Sequence, residues 1–580
     1  MAQSGVPLEQ LFASDGPGKS FSLVPEPRSS VPLQWAHFGP GAIPNALADT
    51  PCAAMNVTEL LERLNDVLGT SYSLNKPGLE QCLNHFLRSS RDFGQVYGSL
   101  RPHWQSGFAQ LLSNLTKKRN KDEVMRQNVV DGSYISNARV LPRRVWDLYS
   151  NRVLPFYAIN PSRDWLDIPT YVWTVSHSWV HESARTYVST PINDHEWPVP
   201  TPRDITLDHV RVELLNLGAE YVWMDVLCLR QRGRPEDEEQ RKEEWKLDVP
   251  TIGRVYSSPP VPCVTYFNGL GLPFDPSPEV LSSDRHWSNR VWTAQEATRF
   301  WLPGGTTGTV SADTWRFFRD HLPRSIPSKH VPLFDALAFG VPAMRGRHCT
   351  TELDRIHGLA YLLNCETLPI YDEDMSPDRA WTALLKHVDP LSRWQIALRH
   401  VICCPDDISL FPSWQVLMQY EQPERVTHTS RPDHGALLSV LDNSCLQMTE
   451  PGIYFHKAVP MYGPVDIDRQ GKKDESGHET LKLQSRGASG RLSCYEIEDC
   501  RVGGTVLRGV KYVILKLTWV VWLVAEVTGE RQVGGESALE VVKRGCISVP
   551  SNQLTLPPWY NKCVVYISEE EYQQRKRVAS

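Results

Sequence analysis

Residues 221–231 read Tyr-Val-Trp-Met-Asp-Val-Leu-Cys-Leu-Arg-Gln. The run lies between Gly218, a helix stop signal, and the charged stretch 233–244. Its length and its content of Tyr, Val and Trp predict a buried strand over 221–229. Asp225 stands inside it, and a carboxylate in apolar surroundings is costly unless paired or hydrogen-bonded. Asp225 therefore either accepts bonds that order a loop or contacts a ligand directly. Cys228 would be a nucleophile if a histidine approached it, and a packed thiol otherwise. Gln231, at the strand exit, offers its amide to a ligand or a loop.

Working outward, the pattern alternates. Tyr171 to Trp179 and Val261 to Phe267 are strand-like, while Pro202 to Leu217, Glu243 to Tyr256 and Ser288 to Arg299 are predicted helices. Strands separated by helices point to an α/β layer with a mainly parallel sheet flanked by helices. Such folds bind ligands beyond the carboxyl ends of their strands. Ser176, His177 and Trp179 stand at the end of the first strand, where His177 is a candidate for phosphate binding or proton transfer. Trp292 and Glu296 are four residues apart and would share one face of a helix. That pair is either an aromatic platform beside a carboxylate or a core Trp with a solvated or salt-bridged Glu.

The flanks differ in character. Residues 1–55 are rich in Pro, Gly, Ser and Ala and are expected to be loosely ordered. GPGKS at 16–20 is not a phosphate loop, because Ala13 stands where the first Gly belongs. Residues 56–135 form a helical region, with Asn56 as cap and Val57, Leu60, Leu61, Leu64 and Leu68 at helical spacing. Residues 301–430 read as a mainly helical extension of the 165–300 unit, and 450–570 as a β-rich region. The apolar stretch Leu517 to Ala525 is under half the length of a membrane helix and reads as a buried strand. At 580 residues the chain is expected to hold roughly two to four domains.

A net charge of -6 gives no global pull toward nucleic acid or anionic membrane. The 13 cysteines are scattered without a CxxC pair, which fits reduced thiols in a cytoplasmic protein. No metal site is expected: His181-Glu182 and Asp194-His195-Glu196 lack ligand spacing.

Three of these clusters, taken together and in order, resemble fungal heterokaryon-incompatibility (HET) domains over residues 165–300. Ser176-His177-x-Trp179 is similar to the first HET motif, Asp225-xx-Cys228-Leu229-x-Gln231 to the central one, and Trp292-Thr293-x-Gln295-Glu296 to the third. Ile252-xx-Val255-Tyr256 resembles the helix between the second and third motifs. Asp354 to Leu359 and Phe411 to Trp414 resemble segments found downstream. Val180 and Val291 replace the usual glycines, and Ala294 stands where Leu is common. The resemblance implies a TIR-like fold and a role in non-self recognition or cell-death signalling, through self-association or a protein partner. Some TIR domains cleave NAD with a Glu four residues after a Trp. By that analogy NAD becomes the possible substrate, Glu296 and Asp225 the catalytic candidates, and Ser176, His177, Trp179, Gln231 and Trp292 the nucleotide-contacting ones.

Overall fold

The computed structural model describes residues 30–159, 168–257, 262–283, 286–296, 301–308, 344–363 and 365–388, scattered positions between 316 and 410, residues 411–419, and strands between 446 and 568. The 16–20 stretch and much of 309–340 lie outside the described residues. The chain divides into two units, one of residues 1–330 and 343–380, the other of 331–342 and 381–580.

The first unit is organised by a six-stranded sheet. Its strands are β1 (Arg144–Asp147), β2 (Arg152–Pro155), β3 (Val172–His177), β4 (Tyr221–Trp223), β5 (Cys263–Tyr266) and β6 (Trp301–Pro303), in the spatial order β6-β5-β3-β4-β1-β2. β6, β5, β3 and β4 are parallel, and the β1–β2 hairpin is added antiparallel on the β4 edge. The expected neighbours 171–179, 221–229 and 261–267 do lie in one sheet, with β3 in the middle. Chain order departs from β3 to one side and then the other. This reversal is the switch point at which doubly wound sheets open a crevice beyond the strand ends.

Two boundaries differ from expectation. The strand at 221–229 stops at Trp223, and Asp225–Cys228 is a single helical turn. Asp225 is thus not inside a strand but begins the turn that follows it. The helix expected over 288–299 is, as far as 296, a 3-10 turn at Trp287–Asn289, a break, and one turn at Thr293–Glu296. Hydrophobic content signalled both segments, but content does not say where a polar side chain diverts the backbone.

Helices α1 (Val57–Leu68), α2 (Leu79–Ser89), α3 (Phe93–Leu100) and α4 (Leu111–Val129) make the helical N-terminal region. α1 opens on a capping box between Asn56 and Glu59 and closes at Gly69. The apolar faces of α1, α2 and α3 share one core containing Leu60, Leu64, Leu83, Phe86, Val96 and Trp104.

Residues 30–49, expected to be loose, pack against α5 (Leu207–Asn216). Asn216 donates to the Leu33 and Ala36 carbonyls, and Arg211 to the Ile43 carbonyl. Gln34 donates to Glu213 at 2.7 Å. The fully buried Glu213 also accepts from the Tyr266 hydroxyl at 2.9 Å and the Gly305 amide at 2.6 Å. Gly305 has φ 76°, and a Cβ there would meet the Leu272 carbonyl oxygen at 2.0 Å. Composition suggested a loose segment, whereas this strap, residues 30–49, holds a 3-10 turn at Pro32–Gln34 and a helical turn at Asn45–Ala48. Its donors and acceptors come from α5, far along the chain, and composition does not show them.

The second unit contains a nine-stranded sheet, antiparallel but for one parallel pairing between 538–541 and 564–567. Pairing of Val521–Val533 with Glu536–Ser548 closes six of its strands into a ring. Trp522, Leu523, Val524 and Ala525 are buried in it. No helix among the described residues is long and apolar enough to cross a membrane.

Replacing Glu213 with Leu leaves three buried donors without their acceptor. The unit is expected to lose about 3 kcal/mol of stability. Hydrogen–deuterium exchange read by mass spectrometry should accelerate across 31–36. Unchanged exchange there would show that the strap does not depend on Glu213.

Candidate functional site

Register determines which side chains meet at the end of β3. Ser176 lies opposite Thr265 and His177 opposite Tyr266 on one side, whereas Trp223 of β4 ends opposite Thr174 on the other. β3 therefore runs three residues past the end of β4, and the turn that follows β4 brings Asp225 beside His177. Successive side chains of a strand point to opposite faces, so Ser176 and His177 reach different partners.

His177 Nε2 is 2.8 Å from Asp225 Oδ1, and the Trp179 indole N–H donates to Asp225 Oδ2 at 2.8 Å. The Val226 amide donates to Asp225 Oδ1 at 2.7 Å. Burial favours the neutral acid, but the His177 charge and these donors hold the Asp225 pKa below the usual carboxylate range. Burial likewise opposes a charge on His177, and the Asp225 carboxylate overrides it, raising the imidazole pKa. The two form a hydrogen-bonded pair, His177 buried and Asp225 half-buried, in which each favours the charged form of the other. The His177 and Trp179 rings are stacked with centroids 6.1 Å apart.

Ser176 turns to the other group. Its Oγ accepts from the Trp287 indole at 2.6 Å and donates to Glu296 Oε2 at 2.5 Å. Glu296 is only 8% exposed. Burial pushes its carboxyl up to about 7; the Ser176 bond opposes this, the Asp225 charge adds to it, and the His177 and Arg347 charges oppose it. Arg347 is itself buried and donates to the Arg290 carbonyl and to Thr293 Oγ1, at 2.8 and 2.7 Å. Gln295, beside Glu296, is fully buried, and among the described residues neither of its amide atoms has a hydrogen-bond partner.

The structure brings Ser176, His177, Trp179, Asp225 and Glu296 into one cluster at the carboxyl end of β3. Gln231 stands apart in function: its amide donates to the Asp225 and Leu229 carbonyls and closes the turn. Trp292 precedes the 293–296 turn rather than sharing a helix with Glu296, and its side chain bonds Asp354. Asp354 lies in the capped helix Glu352–His357 and also accepts from the Tyr371 hydroxyl. Cys228 is not a nucleophile in this arrangement. Its thiol is buried, lies 3.9 Å from the Val222 carbonyl oxygen, and is raised by burial to about 12. His181 and His195 bond the nearby hydroxyls of Ser183 and Ser189. Among the described residues, no group of three or more His, Cys, Asp or Glu is placed to hold a metal ion.

Sequence reading missed Trp287 and Arg347. Trp287 is an indole among 19, five residues before the motif that drew attention. Arg347 approaches from far downstream, through a short parallel bridge between Arg290 and His348. Neither has a local spacing signal.

No family model matches the chain, and no curated protein or solved structure matches it either.

Glu296 generates a pH prediction. It holds its proton more tightly folded than unfolded, where its ordinary value is 4.5. Its contribution to stability is therefore complete below that value and is lost as pH rises through about 7. Glu296→Gln, which imitates the protonated form, is expected to abolish this decline. Above about pH 8 the variant should be the more stable by on the order of 2–3 kcal/mol, and near about pH 4 the two should converge. Urea unfolding at the two pH values measures it, and parallel pH profiles would contradict it.

Proposed function

We propose that the α/β unit is a HET-type signalling domain for non-self recognition or cell death, acting by regulated self-association. One observation carries this reading. Residues from three motifs far apart in sequence, 176–179, 225 and 296, converge on a single strand end, as residues that work together must. The parallel strand order supports the TIR-like reading of the same unit. The burial of Glu296 and its bond to Ser176 favour a domain held closed until a partner or a second copy opens it.

A second reading has its own support: NAD cleavage by an opened site. Glu296 lies at the switch-point end of the sheet, where α/β folds take ligands. Cleavage of the ribose C1′–N bond leaves an oxocarbenium-like ribose, and nicotinamide departs neutral, taking the bonding electron pair. Water then adds at C1′ and releases a proton, giving ADP-ribose. One carboxylate that stabilises the developing charge is sufficient for this chemistry. A carboxyl with a pKa of about 7 is partly ionised at neutral pH, and Ser176 directs its hydroxyl at that group.

The test uses full-length protein and its Glu296→Gln variant. Sedimentation velocity over a concentration series should show self-association of both. With NAD present, nicotinamide release that rises faster than linearly with protein concentration, and is lost in the variant, supports the catalytic reading. Release by neither supports signalling without catalysis. Equal turnover by both removes Glu296 from the mechanism. A chain that stays monomeric throughout while releasing nicotinamide in proportion to its concentration would overturn the role of assembly.

A further inference from the structure

Between β3 and α5 the chain makes a two-stranded antiparallel sheet, Arg185–Val188 against Val199–Pro202. Arg185 lies opposite Pro202, Thr186 opposite Thr201, Tyr187 opposite Pro200 and Val188 opposite Val199. Antiparallel pairs alternate between those that exchange backbone hydrogen bonds and those that do not. The Arg203 amide donates to the Ala184 carbonyl at 3.1 Å, so the bonded positions are Ala184–Arg203, Thr186–Thr201 and Val188–Val199. Pro200 and Pro202, which have no N–H to give, occupy the unbonded positions. The backbone groups of Arg185 and Tyr187 therefore point away from the inner strand, along an outer edge. The Arg185 carbonyl accepts from Arg203 Nε at 3.3 Å, and among the described residues no third strand pairs with this edge.

An open edge is a template for another strand, and folded proteins usually guard it with lysine, proline or a covering segment. Residues 186–190, Thr-Tyr-Val-Ser-Thr, hold neither a charge nor a proline. Tyr187 and Val188 point to opposite faces of the sheet and are 53% and 38% exposed, so neither face is covered at that end. A two-stranded sheet is marginal in water, and a second pair of strands would make it four. We propose that this edge is the self-association surface and that its occupant is the same edge of a second copy, antiparallel across a two-fold axis at Tyr187. The two Tyr187 residues exchange N–H to C=O bonds, and Arg185 of each copy lies opposite Ser189 of the other. Arg185 is the only charged residue from 185 to 193, so this register sets no like charges opposite one another. The inference rests on the self-association reading and gives it a surface. The edge is joined to the strand-end cluster, because the Arg185 guanidinium stands 4.8 Å over the Trp179 ring and the Trp179 indole bonds Asp225.

Sedimentation velocity of the full-length chain, over a concentration series up to about 100 μM, tests it, with thermal unfolding of each variant alongside. The parent is expected to dimerise. Tyr187→Pro removes the N–H at the axis, one that the internal sheet does not use, and Tyr187→Lys sets like charges across the axis. Each should raise the dimer dissociation constant by at least about tenfold while the dilute protein melts as the parent does. Tyr187→Phe should associate like the parent. Mild oxidation reads the register. Tyr187→Cys should form a disulfide between copies above the parent's background. Ser189→Cys should not, because the two Ser189 positions would lie more than about 13 Å apart and a disulfide spans at most about 7 Å between Cα atoms. A parent that stays monomeric overturns both this proposal and the self-association reading. A parent that dimerises, with Tyr187→Pro and Tyr187→Lys dimerising equally well, overturns this surface alone, as does crosslinking through Ser189→Cys but not Tyr187→Cys.

Discussion

The Asp225 carboxylate accepts from the His177 imidazole, the Trp179 indole and the Val226 amide, and the order of the strand end follows from those bonds. An isolated carboxylate in this setting would carry a desolvation cost of several kcal/mol. Meeting it requires a cation and oriented donors at fixed distances. That requirement ties the last residue of β3 to the turn after β4, and makes the overrun of β3 past β4 a necessity rather than an accident of length. Gln231 then holds the turn from its other end.

Glu296 is solved differently. It has a hydroxyl where Asp225 has a cation, and its carboxyl is pushed up to about 7 instead of down. Two carboxyl groups near one strand end thus have opposite tendencies, one committed to its charge and one poised between states. Pairs of titratable groups pushed apart in this way are a recurrent feature of sites that handle protons or developing charge. They also raise electrostatic energy locally, which the surrounding packing must offset. Trp287, Tyr256 and the 344–348 segment supply that packing. Tyr256 bonds the Val175 carbonyl, and His348 pairs through its backbone with Asn289 and Val291.

The downstream segment is consequently part of the same machine. Arg347 reaches the backbone of Arg290 and the hydroxyl of Thr293, while Asp354 holds Trp292. Among the described residues, the helical turn that bears Glu296 spans Thr293–Glu296. Its position is set from both sides, by β3 through Ser176 and by residues 347–354. Displacing either support would remove a contact that holds the turn in place.

Sequence alone determined the kind of layer this is. Apolar runs of strand length separated by amphipathic helices have few stable solutions, and a mainly parallel sheet holding all three runs follows from that pattern, whereas the place of β3 between the other two does not. The helical N-terminal region and the strand-rich C-terminal region were legible for the same reason, as were the cap at Asn56 and the need of Asp225 for a partner. Which partner it found was not legible, because His177 meets Asp225 only through the relative register of two parallel strands. Nor was the end of β4 at Trp223, the diversion of Trp292 to Asp354, or the arrival of Trp287 and Arg347. Local propensity is carried by neighbours in sequence. Hydrogen bonds and charge pairs at the site join residues tens of positions apart, and only the packing of the sheet against its returning segments brings those residues within a few ångströms.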